Sequence, residues 1–139
     1  MPYRTHDRYL ETEVLNADPL QLVNMLYRGA LEAVVAARFH LAAGSIMERS
    51  RRIMKAWNIL HELSRSIDPV QAPELSARLM ELYVHMQQRL LDANIQQADG
   101  PLAEVQALLA TLSEAWQAVQ TQASVPPREP NYEPVSRAL

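Results

Sequence analysis

The stretch that decides the fold is LSARLMELYVHMQQRLLDANI, which runs from Leu75 to Ile95 and carries two stripes of apolar residues. In an α-helix each residue advances by about 100°, so residues three and four positions apart share a face. The first stripe has the spacing of a core-facing seam and consists of Leu75, Leu79, Leu82, Met86 and Leu90. A helix in a small bundle needs only one such seam.

The second stripe is expected on nearly the opposite side of the same helix. It consists of Met80, Val84, Leu91 and Ile95. The second stripe can be covered by another element of this chain, by a second copy of the chain, or by a helix of a different protein. The choice among them decides the function.

Start and stop signals predict three further helices. Asp18 and Pro19 favour a helix start, and Gly44 suits the residue that ends this first helix. Ser45 and Glu48 form a capping-box pattern directly after Gly44, so a second helix is expected to run antiparallel to the first.

The second helix is predicted to stop at Asp68 and Pro69 and the third to span the region from Glu74 to Gln97. The fourth begins at Asp99 and has a single apolar stripe. Together these signals predict an all-α fold, an antiparallel up-down-up-down four-helix bundle in residues 18–123. Residues 1–17 are predicted to form an N-terminal leader, and residues 124–139, with four prolines, a disordered Pro-rich tail.

Composition excludes several classes of function. The chain of 139 residues has no cysteine, so thiolate chemistry and disulfides are absent. A net charge of -3 argues against nucleic-acid binding. No segment approaches the roughly 20 apolar residues of a membrane span, and no signal peptide is recognisable, so we expect a cytoplasmic protein without membrane insertion.

Few residues suggest catalysis. A di-iron bundle requires Glu-x-x-His motifs, and the chain has none. Glu81 and His85 are four residues apart but are expected on a solvated flank, where a surface pair is the simpler interpretation. We therefore predict no cofactor, no metal and no enzymatic activity.

Several motifs, in order along residues 9 to 117, together resemble the FliS family of flagellin-specific export chaperones. The motifs begin with Tyr9, Val14 and the Asp18-Pro19 pair. They continue with MLYRGAL from Met25, ILHEL from Ile59, ELYVHMQQRLLDAN from Glu81 and LLATLSEAW from Leu108. Each is a weak helical pattern alone, but their order and separations are specific.

This resemblance implies a cytoplasmic chaperone that binds the disordered C-terminal segment of flagellin, blocks premature filament assembly and delivers the subunit to the flagellar export gate. Family motifs and the second stripe together give the predicted flagellin-binding residues Tyr27, Met80, Tyr83, Val84, Arg89, Leu91, Asn94 and Ile95. The resemblance also implies a cover or gate-docking role for Tyr9, and the leader residues Leu10 and Val14 are grouped with it.

Two departures and one alternative accompany the resemblance. The family commonly has an acidic residue where Arg28 stands, and paired glycines where Ala72 and Pro73 stand. The alternative is a self-associating module in which a homodimer buries the second stripe.

Overall fold

The computed structural model describes residues 18–124, and within them four α-helices follow one another. They are α1 (Pro19–Ala43), α2 (Ile46–Arg65), α3 (Pro73–Gln96) and α4 (Asp99–Ser124). The described part of the chain has no strand. The predicted leader, residues 1–17, and residues 125–139 of the predicted tail lie outside the described residues.

The ends of α1 follow the signals in the sequence. The Asp18 carboxylate accepts a 2.7 Å hydrogen bond from the backbone N–H of Gln21, and Pro19 occupies the first turn. Gly44 ends the helix with a φ of 75°, a left-handed conformation that glycine adopts without a Cβ penalty. The capping box predicted for α2 does not form, because the Ser45 side chain makes no cap hydrogen bond and Glu48 pairs with Arg51 instead.

The four helices are arranged in a closed ring in which each helix is antiparallel to its two neighbours. The start of α2 meets the end of α3, where Arg49 bonds to Asn94. The end of α1 meets the start of α4, where Arg38 binds Asp99 at 2.8 Å. Each helix packs against the next, and α4 closes the ring against α1. This is the predicted up-down-up-down order.

All four helices contribute buried apolar side chains to one core. The largest fully buried members are Tyr27, Val34, Ile53, Leu60, Leu63, Met86, Leu90, Leu102, Val105 and Leu109. The expected seam of the third helix needs correction at one end, because Leu75 is exposed and Leu82 only partly buried. Leu75 and Leu82 lie at one edge of the buried side of α3, which helical spacing centres between Leu79 and Tyr83, and Ser76 in the same turn as Leu75 is buried. Gly29 lets α2 come close, since a Cβ there would lie 3.3 Å from the Cδ1 of Ile59.

Two adjacent leucines in α3 test this burial pattern. We expect Leu90→Ala to lower the free energy of unfolding by about 2–5 kcal/mol, because it leaves a cavity in the core. Leu91→Ala is the matched control and should cost less than about 1 kcal/mol, since its side chain is already partly solvated. Urea unfolding followed by circular dichroism measures both. Equal losses in the two variants would mean that α3 is rotated differently from this structure.

Candidate protein-binding face

The second apolar stripe of α3 is exposed, as expected of a surface that the bundle does not use. The exposed fractions are 42% for Met80, 52% for Val84, 39% for Leu91 and 79% for Ile95. Four large apolar side chains along one side of one helix are unusual for a monomer surface. No element within residues 18–124 covers them.

The stripe lies beside α2 rather than on the far side of α3. Helical geometry puts its centre roughly 120° around α3 from the buried seam. Gln87 and Asn94 share this side of the helix, and both bond to α2. Gln87 donates to the backbone oxygen of Trp57 at 3.3 Å, and the Asn94 side-chain oxygen accepts from Ser50 Oγ at 3.0 Å.

Helix α2 adds two exposed methionines to the same surface. Met47 and Met54 lie on the α3 side of the exterior of α2, next to the residues that bond to α3. The antiparallel register set by the bond between Ser50 and Asn94 brings Met54 level with Leu91, and Met47 level with Ile95. The combined surface, here called the apolar face, consists of Met47, Met54, Met80, Val84, Leu91 and Ile95.

Sequence reasoning missed the share of α2 in this face. Met54 was not among the predicted binding residues, and its side chain is exposed. The seven-residue spacing of Met47 and Met54 was the available signal. Three of the six residues are methionine, whose flexible and polarisable side chain adapts to differently shaped apolar partners.

Tyr27 and Tyr83 do not belong to the exposed surface. Both are buried, and their hydroxyl groups form a 2.5 Å hydrogen bond that joins α1 to α3 across the core. Burial raises the pKa of both hydroxyl groups. A direct contact of either ring with a partner does not fit this geometry, so the family motif residues here are structural.

Arg89 lies on the α4 side of α3, away from the apolar face. Its guanidinium donates to Glu104 at 2.6 Å and to Asp92 at 3.2 Å, and His85 contacts Glu104 at 2.9 Å. The hydrogen bonds from His85 and Arg89 lower the pKa of the Glu104 carboxyl group. These contacts join α3 to α4, and the expectation that Arg89 lines the binding surface is not supported by its position.

Asn94 borders the apolar face but is engaged within the chain. Its side-chain oxygen accepts hydrogen bonds from Arg49 Nε at 3.1 Å and from Ser50 Oγ. Arg49 is 5% exposed and also contacts the backbone oxygen of Asn94 at 3.5 Å. The pair therefore holds the end of α3 against the start of α2, and so fixes the two helices that carry the apolar face relative to each other.

The described residues hold neither a cluster of metal ligands nor a membrane-spanning helix. They contain no group of three histidine, aspartate or glutamate side chains placed to hold a metal ion. Within the same residues, no helix combines the length and hydropathy that a bilayer crossing requires. The apolar face is the feature of this part of the bundle that suits a protein partner.

Comparison with known proteins identifies the family to which this bundle belongs. The sequence model of the flagellar protein FliS matches residues 2–123. The flagellar secretion chaperone FliS of Salmonella typhimurium is 36% identical over 83% of this chain and 86% of its own. That of Bacillus subtilis is 33% identical over 82% and 85%, and FliSB of Pseudomonas aeruginosa is 33% identical over 79% and 87%.

The chain therefore belongs to the FliS family of flagellar secretion chaperones. This membership confirms the resemblance that the motifs indicated. It also places the protein among chaperones and not among enzymes.

The buried tyrosine pair predicts a loss of stability in alkaline solution. Unfolded tyrosines ionise near pH 10, whereas Tyr27 and Tyr83 in the bundle retain their protons to higher pH. Their contribution to stability is therefore complete below about pH 10 and decreases as the pH rises further. We expect tyrosinate absorbance to rise in two phases, the later one coinciding with loss of helicity.

The double variant Tyr27→Phe, Tyr83→Phe identifies this later phase. It should lack the two late ionisations while those of the remaining tyrosines persist. Ionisation of all five tyrosines of the folded protein in one transition near pH 10 would contradict the buried pair.

Proposed function

We propose that this protein is a cytoplasmic export chaperone that binds the disordered C-terminal segment of flagellin on its apolar face. The segment docks as an amphipathic helix, with anchors recurring at spacings of three and four residues. The observation that carries the proposal is the exposure of four large apolar residues along one side of α3, beside the exposed methionines of α2. Membership in a family of flagellar secretion chaperones supplies the class of partner.

The energetics allow a stable but reversible complex. Because the four α3 residues are already partly buried, covering what remains exposed would contribute roughly 3–6 kcal/mol before costs. Ordering a disordered segment and immobilising two bodies consume much of this free energy. A micromolar Kd corresponds to about 8 kcal/mol of net binding free energy, so the four residues do not provide it alone, and burial of Met47 and Met54 adds to their contribution.

Holding the segment on this face blocks premature filament assembly. An amphipathic helix that buries its apolar side against the chaperone no longer presents that side to another flagellin. Because binding depends on burial alone, release needs no nucleotide. A competing partner at the export gate suffices.

The leader is proposed to act at the gate. Tyr9, Leu10 and Val14 lie outside the described residues, and the proposal for them rests on the family resemblance. They would cover part of the apolar face before flagellin binds and contact the export gate once it is displaced.

One substitution in the apolar face tests flagellin binding. We expect Val84→Asp to weaken binding of a flagellin C-terminal peptide at least tenfold, because a carboxylate would be desolvated in the interface. Val119→Asp is the matched control, since Val119 is also an exposed valine but lies on α4. Isothermal titration calorimetry measures binding, and thermal melting verifies that both variants fold.

The outcomes separate this function from its alternative. Equal affinity of the Val84→Asp and wild-type proteins would overturn the proposed site. Sedimentation equilibrium measures whether the protein forms the homodimer that is the alternative use of the second stripe. A tight dimer that Val84→Asp dissociates, together with no flagellin binding, would favour a self-associating module.

The leader residue Tyr9 gives a separate prediction. Tyr9→Ala should reduce flagellin secretion by cells while leaving the affinity for the flagellin peptide within about twofold, because the residue acts in delivery and not in capture. Secretion assays and calorimetry on the same variant compare the two steps. A parallel loss of affinity and secretion would remove the separate role of the leader.

A further inference from the structure

A second exposed apolar surface lies on the other side of α3, in the groove that this helix forms with α4. Leu75 is 53% exposed and Val119 is 45% exposed. The contact between Arg89 and Glu104 marks the sides on which the two helices meet, and helical spacing puts both apolar residues on those sides. The surface, here called the α3–α4 groove, consists of these two residues and the partly buried Leu82, Leu112 and Trp116.

A cavity of about 180 Å³ opens at the end of this groove where α3 begins and α4 ends. All four helices line it, with Val23 from α1, Leu63 from α2, Leu75 and Leu79 from α3, and Trp116 from α4. An apolar cavity of about 150 Å³ is large enough to hold a benzene ring. This cavity therefore has room for one aromatic side chain.

Residues 125–139 follow α4 directly beside the cavity. Helix α4 ends at Ser124, about two turns beyond Trp116. Tyr132 is the one aromatic residue in the sequence 125–139. The segment between Ser124 and Tyr132, when extended, spans up to about 25 Å, whereas the return along α4 to the level of Trp116 is about 12 Å. The ring of Tyr132 can therefore reach the cavity.

The composition of residues 125–139 suits an apolar groove. Proline has no backbone N–H, so a docked proline leaves no donor unpaired against apolar side chains. Pro130 and Pro134 flank Tyr132 on its two sides. Extended, proline-rich segments dock on aromatic-lined grooves at a low entropic cost. Trp116 and Tyr83 are the aromatic residues that line this cavity.

Covalent attachment favours this segment over other occupants. Charge does not select one, because Arg78 beside the groove has Glu74 and Glu81 within one turn, and residues 125–139 contain as many arginines as glutamates. A segment joined to one wall of the groove by a short linker has an effective concentration in the millimolar range. The leader is joined to α1 instead, which packs against α2 and α4 and lies diagonally across the ring from α3.

We propose that residues 125–139 fold back along α4 and dock in the α3–α4 groove, with the ring of Tyr132 in the cavity between Leu75 and Trp116. The docked segment closes this groove to other proteins. The apolar face, on the other side of α3, stays free for a partner. This inference does not depend on the proposed function.

Paramagnetic NMR on the full-length chain tests the docking. The chain has no cysteine, so Asn131→Cys carries a single nitroxide next to Tyr132. The methyl signals of Leu75 and Leu82 should broaden most, and those of Ile59, on the α1 side of α2, should broaden least. Adding Tyr132→Ala should abolish this difference. Tyr9→Ala, the matched control in the leader, should preserve it.

Three results would overturn the proposal. The first is weak and uniform broadening of all methyl groups by the label at position 131. The second is broadening of Leu75 and Leu82 by a nitroxide at Thr5→Cys but not at Asn131→Cys, which would assign the groove to the leader. The third is equally strong broadening in a mixture of nitroxide-labelled and isotope-labelled chains, which would mean that a second copy supplies the segment.

A substitution in the groove tests the docking from the other side. Leu75→Asp in the chain labelled at position 131 should abolish the excess broadening at Leu82, because a carboxylate would be desolvated beside the ring. Val35→Asp is the matched control, since Val35 is similarly exposed but lies on α1. Thermal melting verifies that both variants fold. Unchanged broadening of Leu82 in a folded Leu75→Asp variant would contradict docking in this groove.

Discussion

The rotational setting of α3 about its own axis is the constraint on which the rest of the structure depends. This helix has two apolar stripes, and its rotation decides which one enters the core. Contacts on three sides fix it. Tyr83 bonds to Tyr27 across the core, Asn94 bonds to α2, and Arg89 bonds to α4. With these contacts in place the seam containing Leu90 is buried and the stripe containing Leu91 is exposed.

These contacts assign new roles to the family motif residues. Tyr27, Tyr83, Arg89 and Asn94 resemble binding-site residues in sequence, yet each is engaged within the bundle. We propose that they act on a partner indirectly, by orienting α3 so that its second stripe stays exposed. Loss of any one contact is expected to change binding by rotating or loosening the helix.

The sequence predicted the helices better than the contacts between them. Asp18, Pro19 and Gly44 act locally, so their roles were readable from neighbouring residues alone. The same is true of the two stripes, because helical spacing fixes which residues share a face. The burial of Arg49 was not readable, because its partner Asn94 lies 45 positions away and meets it only in the folded bundle. Leu75 was wrongly placed in the core, since periodicity does not reveal how far around α3 the other helices cover it.

The central claim is that the face beside α2 and α3, left outside the core, is where flagellin docks. Methyl NMR of the chaperone, titrated with the flagellin C-terminal peptide, tests it most directly. The account predicts that the largest shift changes occur at Met47, Met54, Met80, Val84, Leu91 and Ile95, with small changes at the buried Met86 and Leu90. Changes concentrated on the exterior of α1 or α4, with the methyl groups of this face unmoved, would contradict it.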